Sequence, residues 1–331
     1  MNILVTGACG FIGSHLVEKL VKENHNVRAF TFYNSRNSHG WLDNVDKKIL
    51  KDLDLISGDI RDYDFLYQQT KKIDVIIHLA ALIGIPYSYH AVKSYIDTNV
   101  TGTYNVLNSA KINNVSKTII TSTSEVYGTA QKVPILENHP LSAQSPYAAS
   151  KIAADQLALS FYKSYGLPLT IMRPFNTFGP RQSARAIIPT IITQLLQKKN
   201  VIKLGNLTPT RDFTYIEDTV NAFLSAMRVK KILGAVINIG NRFEISIKDI
   251  LKIINNDFGY DFDVKIDKKR IRGKNSEVYR LYASNTKAAK ILKWHPKYSG
   301  LKGFKKGLEK TINWFSEPKN LKYYNSDIYN I

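Results

Sequence analysis

The feature that most constrains the fold sits at the start of the chain. A short apolar run, Asn2–Thr6, breaks into the stretch VTGACGFIGSH, and apolar residues recur at helical spacing beyond it. The run predicts a β-strand, the glycines a sharp turn, and the segment from Phe11 a helix. Glycines at Gly7, Gly10 and Gly13 let a turn close tightly and let backbone N–H groups approach a pyrophosphate at a helix N-terminus. Gly10, Phe11, Ile12 and Gly13 are therefore candidate dinucleotide contacts. A strand–glycine turn–helix unit of this kind is the first unit of a parallel, helix-flanked sheet.

The rest of the chain continues that rhythm. Strand-like runs follow at NVRAFTF (26–32), DLISG (54–58), VIIHLA (75–80), TIITST (118–123) and LTIMRP (169–174), with helix-like stretches between them. We expect an α/β protein with a Rossmann-type doubly wound parallel sheet over residues 1–175. Near Phe175 the rhythm loosens into FNTFGPRQSARAIIP and GNLTPTRDF. A smaller C-terminal substrate-binding lobe is expected over 176–331. A later segment near 213–240, ending in AVINIG, is expected to return to the large sheet.

Composition narrows the class. A length of 331 residues suits a large α/β unit with a second lobe. Cys9 is the single cysteine, which excludes an internal disulfide and fits a reducing compartment. The longest apolar stretch, VIIHLAALIGI, is too short to span a bilayer and contains His78. No leader segment is visible at Met1, so a cytoplasmic location without membrane association is expected. Net charge is +19, and residues 265–322 hold 17 Lys/Arg against 4 Asp/Glu. Phosphate-bearing partners fit this balance. The basic residues are scattered and match no nucleic-acid-binding motif, so a lysine-rich solvated surface is expected rather than a nucleic-acid face.

The second strand should end in a carboxylate if the adenosine ribose carries both hydroxyls. The corresponding place reads FTFYNSRNS, with Thr31 where the acid would stand and Arg36 close by. An arginine accommodates a 2′-phosphate, so the residues lean towards NADP over NAD. Asp59 and Ile60, after the third strand, are placed to contact adenine.

The stretch SPYAASKIAADQLALSFYKSYG predicts a helix with Ser145 as N-cap, Pro146 as first residue and Gly166 as terminator. Tyr147 and Lys151 share one face of it. An ammonium beside a phenol should lower the phenol pKa and make Tyr147 a base near neutrality. In TSTSEVYG, Thr123, Ser124 and Glu125 are expected to end the fifth strand, at the carboxyl edge where ligands bind. A carboxylate there could take a proton from carbon. In the second lobe Asn176, Arg181, Arg211, Tyr215, Arg272 and Glu277 form a candidate diphosphate-binding set. His78 lies within an apolar strand and reads as a packed, hydrogen-bonded core residue. No cluster has metal-ligand spacing.

Together GACGFIG, GDIRD, HLAA, DTNVTGT, TSTSEVYG, YAASK, RPFNTFGPRQ and RDFTYIEDT resemble the extended short-chain dehydrogenase/reductase family, in its nucleotide-sugar epimerases and dehydratases. ALIGIPYSYH, SARAIIPTIITQ, FEIS and NSEVYRL look more narrowly like the 4,6-dehydratases of legionaminic-acid biosynthesis, which act on nucleotide-linked N-acetylglucosamine. The resemblance implies further cofactor contacts at Leu79, Ala80, Ala81, Asn99, Thr121 and Pro174, and a cofactor tightly bound and recycled. It implies that Tyr147 deprotonates the sugar C4 hydroxyl, that Lys151 holds the nicotinamide ribose, and that Thr123 bonds the same hydroxyl. Glu125 would take the C5 proton, after which the C6 hydroxyl leaves as water. A homodimer through helices near 91–113 and 146–165 is also implied.

One departure stands out: glucose 4,6-dehydratases carry Asp where this chain has Ser124, and a hydroxyl is too weak an acid to replace it. UDP-glucuronate decarboxylases share the Thr-Ser-Glu pattern and would need a cation such as Arg185; a 4-epimerase has no step for Glu125. A cofactor-sensing protein would be expected to lack part of the Tyr147–Lys151 pair.

Overall fold

In the computed structural model, residues 1–229 and 232–329 are described; Lys230, Lys231, Asn330 and Ile331 lie outside them. The large sheet contains β1 (Asn2–Thr6), β2 (Asn26–Phe32), β3 (Leu53–Gly58), β4 (Val75–His78), β5 (Lys117–Thr121) and β6 (Leu169–Pro174). The chain then builds β7 (Asn176–Phe178), β8 (Val201–Leu204) and β9 (Thr210–Tyr215). It continues through β10 (Ala235–Ile239), β11 (Glu244–Ser246), β12 (Asp263–Ile266) and β13 (Arg280–Leu281).

The large sheet runs β10-β6-β5-β4-β1-β2-β3, with every pair parallel. Its central strands are apolar on both faces: Ile3, Leu4, Ile76, Ile77, Ile119, Ile120 and Ile171 are fully buried. That is the pattern of a parallel sheet covered by helices on each side. The order reverses between β1 and β4, which opens a crevice at their carboxyl ends.

The returning strand is β10, in register with β6 from Ala235↔Thr170 to Ile239↔Pro174. The expected return near 213–240 is thus split. β9 belongs to the small sheet, where it pairs antiparallel with β11 and parallel with β13 and β7. β8 and β12 form a separate parallel pair. These elements and the C-terminal helix Gly300–Ser316 make the distinct smaller lobe.

Two strands end earlier than the sequence suggests. β4 stops at His78 and β5 at Thr121, because the next residues leave the sheet to line the crevice. Thr123 instead caps a short 3₁₀ turn, Ser124–Tyr127, by accepting from the Glu125 N–H at 3.2 Å. The segment expected as one helix over 91–113 is a turn, Val92–Tyr95, then a π-helical stretch, Ile96–Thr101, then the helix Gly102–Ile112. The helix Pro146–Tyr165 starts and stops as its caps predict: Ser145 Oγ accepts from Ala148 N at 3.1 Å, and Gly166 is left-handed at φ 67°. Among the described residues no helix is long and apolar enough to cross a membrane.

Candidate active site

The glycine turn fits a dinucleotide. Gly7 has φ +70°, and a Cβ there would stand 2.7 Å from Ala80 N, so only glycine lets the turn after β1 lie this close to the segment after β4. A Cβ on Gly13 would fall 2.2 Å from the Gly7 carbonyl oxygen. The helix Phe11–Lys22 starts at Gly10 with no side chain capping its first N–H groups. An anion at this open helix end would find unpaired donors and a favourable dipole.

The adenosine side is more polar than acidic. Thr31 is buried at the end of β2, and its Oγ1 lies 3.2 Å from His39 Nδ1 and 3.1 Å from Ser57 Oγ. Arg36 is exposed on the following loop. The Asp59 carboxylate is paired with Arg61, whose hydrogen bond holds it below the usual carboxylate range. Ile60 is buried, and its carbonyl accepts from Asn105 Nδ2 at 2.9 Å.

Asn99 sits inside the π-helical stretch, fully buried. Its side chain accepts from Leu82 N at 2.9 Å and donates to Leu82 O and Ser150 Oγ, each at 2.9 Å. These bonds fix the loop after β4, which carries Leu79, Ala80 and Ala81, and tie it to the Tyr147 helix. Pro174 ends β6, and both it and Phe175 are buried. His78 is the core residue expected, with Nδ1 2.7 Å from Thr6 Oγ1 and Nε2 3.1 Å from Thr103 Oγ1. Burial pushes its pKa down to about 3, so it is neutral.

Tyr147 and Lys151 lie one helical turn apart, both buried. Lys151 Nζ donates to Thr121 O at 2.6 Å, at the end of β5. Burial brings its pKa down to about 8, against which nearby Asp155 acts. The expectation that Lys151 lowers the phenol pKa is overturned. Burial raises the Tyr147 pKa above its ordinary value, and the nearby Thr123 hydroxyl only partly opposes this. The physical reason is position. The ammonium serves the Thr121 carbonyl, while Glu125, Tyr95 and Asp155 all press against ionisation of the phenol.

The Glu125 carboxylate lies within electrostatic reach of both Tyr147 and Arg211. It thereby joins the two groups of residues that the sequence suggested separately. Arg211, on β9, is buried, donates to Thr210 O at 3.0 Å and stands 3.6 Å from Glu277 Oε1. Arg272 approaches the same oxygen at 3.9 Å. Two guanidinium groups thus share one carboxylate, and the buried Arg272 Nη1 has no hydrogen-bond partner. The surplus positive charge suits a diphosphate. Asn176 Oδ1, on β7, is likewise buried and unpartnered.

Two members of the expected set are elsewhere. Arg181, with φ 69°, reaches back to Glu18 on the first helix. Tyr215 is buried in an aromatic cluster, 4.5 Å from Tyr298 and 5.5 Å from Phe178 between ring centroids. Its place between two aromatic neighbours in space is not visible from its sequence flanks.

Sequence reasoning missed a buried network beneath the site. Asp155 Oδ2 accepts from Ser122 Oγ at 2.8 Å and from Arg173 Nε and Nη2 at 3.0 and 2.9 Å. Arg173 also donates to Tyr127 Oη at 2.9 Å, which donates to Asn238 Oδ1 at 2.7 Å. The only sequence signal was Asp155 one turn beyond Lys151. Arg185 is the cation that a substrate carboxylate would need. Its side chain lies beside Gly84, 3.2 Å from where a Cβ would be, and near the Tyr95 hydroxyl. The Tyr95 ring meets Tyr147 edge-on at 6.2 Å.

A doubly wound sheet, a glycine turn suited to a dinucleotide and a buried Tyr–Lys pair fit an NAD(P)-dependent enzyme, and the similarities of the chain narrow it to the nucleotide-sugar class. The sequence model described as GDP-mannose 4,6 dehydratase matches residues 4–309, and the chain belongs to that family. It is 32% identical over 317 residues to a putative UDP-glucose 4-epimerase of Methanocaldococcus jannaschii, covering 94% of this chain and 97% of the relative. It is 33% identical to a UDP-N-acetyl-alpha-D-glucosaminuronate decarboxylase of Bacillus cytotoxicus, covering 96% and 98%. A double mutant of the dTDP-glucose 4,6-dehydratase DesIV of Streptomyces venezuelae, solved with NAD, superposes with TM-score 0.85 at 28% identity. That match covers 96% of this chain and 98% of the other. The protein is an enzyme of the nucleotide-sugar dehydratase and epimerase type that uses an NAD(P) cofactor.

Proposed function

We propose that this enzyme is a 4,6-dehydratase of UDP- or GDP-N-acetylglucosamine that forms the 4-keto-6-deoxy sugar for legionaminic-acid-type biosynthesis. The observation that carries the dehydratase reading is Glu125, a carboxylate after β5 within electrostatic reach of Tyr147 and Arg211, which oxidation at C4 alone does not require. Gly7, Gly10 and Gly13 would hold the pyrophosphate of the cofactor, and Lys151 its nicotinamide ribose. When bound, the nicotinamide supplies a reversible hydride acceptor for the sugar carbon.

Tyr147 would take the C4 hydroxyl proton as a phenolate, a form that the positive charges of Lys151 and of an oxidised nicotinamide would favour against the burial that raises its pKa. The ketone acidifies C5–H, and Glu125 removes that proton. The C6 hydroxyl then departs as water, and the proton it needs comes from Glu125, since Ser124 is buried and too weak an acid. A bound nicotinamide would supply the hydride needed at C6, and the proton needed at C5 would balance the one Tyr147 takes from the C4 hydroxyl, leaving no net redox change. Arg211 and Arg272 would bind the diphosphate, with Asn176 and Glu277 lining the same subsite.

Between the two cofactors, Arg36 favours a 2′-phosphate, whereas the DesIV structure was solved with NAD. Arg36 is exposed, so we take NAD as the better supported cofactor. We assign residues 1–175 with β10 to the cofactor lobe and most of 176–331 to the nucleotide-sugar lobe. Val92, Ile96, Tyr104, Ile112 and Tyr165 are exposed on the two helical segments expected to dimerise, and support a homodimer there. The cytoplasm, where nucleotide sugars and reduced Cys9 coexist, is the proposed location.

A second reading is favoured by Arg185. A guanidinium beside Gly84 and Tyr95 could grip a C5 carboxylate, as a UDP-glucuronate decarboxylase or 4-epimerase needs. Separate incubation with UDP-N-acetylglucosamine, GDP-N-acetylglucosamine and UDP-glucuronate, followed by mass and NMR spectra, distinguishes the two. Loss of one water from an N-acetylglucosamine nucleotide supports the proposal. Loss of carbon dioxide from the glucuronate, or its epimerisation, with the other two unchanged, refutes it.

A further inference from the structure

The family match ends at residue 309, yet the chain continues as an ordered tail that runs along both lobes. After the turn Pro318–Leu321, Tyr323 Oη donates to Asn44 Oδ1 at 2.9 Å, on the loop that follows β2. Tyr324 Oη donates to Gln182 O at 3.0 Å, and its carbonyl accepts from Gln197 Nε2 at 3.0 Å. Trp41, Trp314 and Phe315 pack around these rings, with Trp41 5.4 Å from Tyr323 and Phe315 4.8 Å from Tyr324. The Trp41 N–H in turn donates to the Cys9 carbonyl of the glycine turn at 3.1 Å. Ser326 N donates to Gln197 Oε1 at 3.1 Å, and Asp327 pairs with Lys199.

So anchored, the tail delivers Tyr329 to the basic corner of the small lobe. Its ring lies 4.5 Å from the Arg270 guanidinium carbon. Arg270 Nε donates to Asp267 Oδ2 at 3.3 Å, so its guanidinium is held on one side by a carboxylate and on the other by the ring. Arg272, two residues on, and Tyr89 both lie within electrostatic reach of the Tyr329 hydroxyl. Tyr89 Oη is 2.6 Å from Ser276 Oγ, which donates to Gln144 O at 2.5 Å, so the loop after β4 reaches the same corner. The segment 267–277 therefore carries Arg270 under Tyr329, then Arg272 with its unpartnered Nη1, then Glu277.

We propose that the tail is a strap and Tyr329 a positioning residue, which stacks on Arg270 to hold the 267–277 segment so that Arg272 and Arg211 face a nucleoside diphosphate. This rests on the nucleotide-sugar reading of the arginine corner and goes beyond it by assigning a binding role to residues outside the family match. A stacked guanidinium is fixed in plane, which leaves less freedom to lose when an anion binds.

The test is titration calorimetry of the purified enzyme, with its cofactor, against UDP, GDP and dTDP in turn. Tyr329→Ala should weaken the best of the three by about tenfold, the scale of one partly desolvated cation–π contact. Tyr329→Phe keeps the ring and should bind within about twofold of wild type. Cofactor content and Tm should stay unchanged in both, and KM for the sugar nucleotide should rise with kcat unchanged in Tyr329→Ala. Unaltered affinity in Tyr329→Ala overturns the proposal. So does an equal loss in Tyr329→Phe, or a loss that tracks a fall in Tm or cofactor content. If wild type binds none of the three diphosphates while Arg211→Ala also changes nothing, the nucleotide-sugar reading itself falls and the strap with it.

Discussion

Asp155→Asn tests whether the buried network beneath the site both holds the fold and sets its titration. Asp155 is fully buried and the Arg173 side chain is 3% exposed, with Nη2 2.9 Å from Oδ2. Asparagine can place its oxygen where Oδ2 stands and keep all three hydrogen bonds, so the change removes charge and little else. The Asp155 Oδ1 position has no partner, so the new amide N–H group there is unsatisfied too. Leaving a buried guanidinium without its counter-charge costs about 3–5 kcal/mol. At roughly 2 °C per kcal/mol for a chain of this size, Tm should fall by about 6–10 °C. The second consequence is catalytic. Asp155 raises the pKa of Lys151, held at about 8, and of Tyr147. Without its charge both groups titrate at lower pH, so the pH–rate profile should shift to the acid side. Calorimetry and the pH dependence of substrate oxidation measure the two effects. A variant that melts within about 2 °C of wild type and keeps its pH profile would refute the argument, since both magnitudes follow from one buried charge.

Glu125→Gln should still oxidise C4, seen as accumulated reduced-nicotinamide absorbance, but form product about 10²–10⁴-fold more slowly; wild-type turnover would remove Glu125 from the mechanism. Because Glu125 raises the Tyr147 pKa, the same variant should oxidise substrate with its pH limb moved down. Lys151→Met should abolish activity yet stabilise the protein. The wild-type ammonium has a folded pKa of about 8 against 10.5 unfolded. The unfolded chain therefore binds more protons between those values, wild-type stability rises with pH across that window, and the full penalty applies below it. The gain from Met should be about 1–3 kcal/mol at pH 7 and vanish above roughly pH 10, read by urea denaturation at both. Gly13→Ala places a methyl 2.2 Å from the Gly7 carbonyl oxygen. It should yield protein purified without cofactor, and a full complement released on denaturation would contradict the assigned turn.

Much of the architecture is written locally. The apolar runs that became β1, β4, β5 and β6 are buried on both faces, the pattern of strands within a covered parallel sheet. Ser145, Pro146 and Gly166 bound their helix because capping depends on the neighbours within one turn. Gly7 and Gly13 declared the cofactor turn, since a Cβ on Gly7 would strike the segment after β4 and one on Gly13 the turn itself. Tyr147 and Lys151 are one turn apart by helix geometry alone.

What the sequence could not supply are quantities set by groups distant in the chain. The phenol pKa follows burial and the fields of Glu125, Tyr95 and Asp155, so an inference from the nearby Lys151 alone has the wrong sign. Arg181 and Arg211 were one candidate set in the sequence; the fold turns one towards Glu18 and the other towards Glu277, with Glu125 in electrostatic reach. The strap is also invisible beforehand, because Tyr329 meets Arg270 only after the tail has been pinned to Asn44, Gln182 and Gln197. Local sequence determined the strands, caps and turns, whose energetics are decided within a few residues. Charge, burial and the meeting of the two lobes were decided by tertiary structure, because electrostatic and packing energies depend on distance in space rather than along the chain.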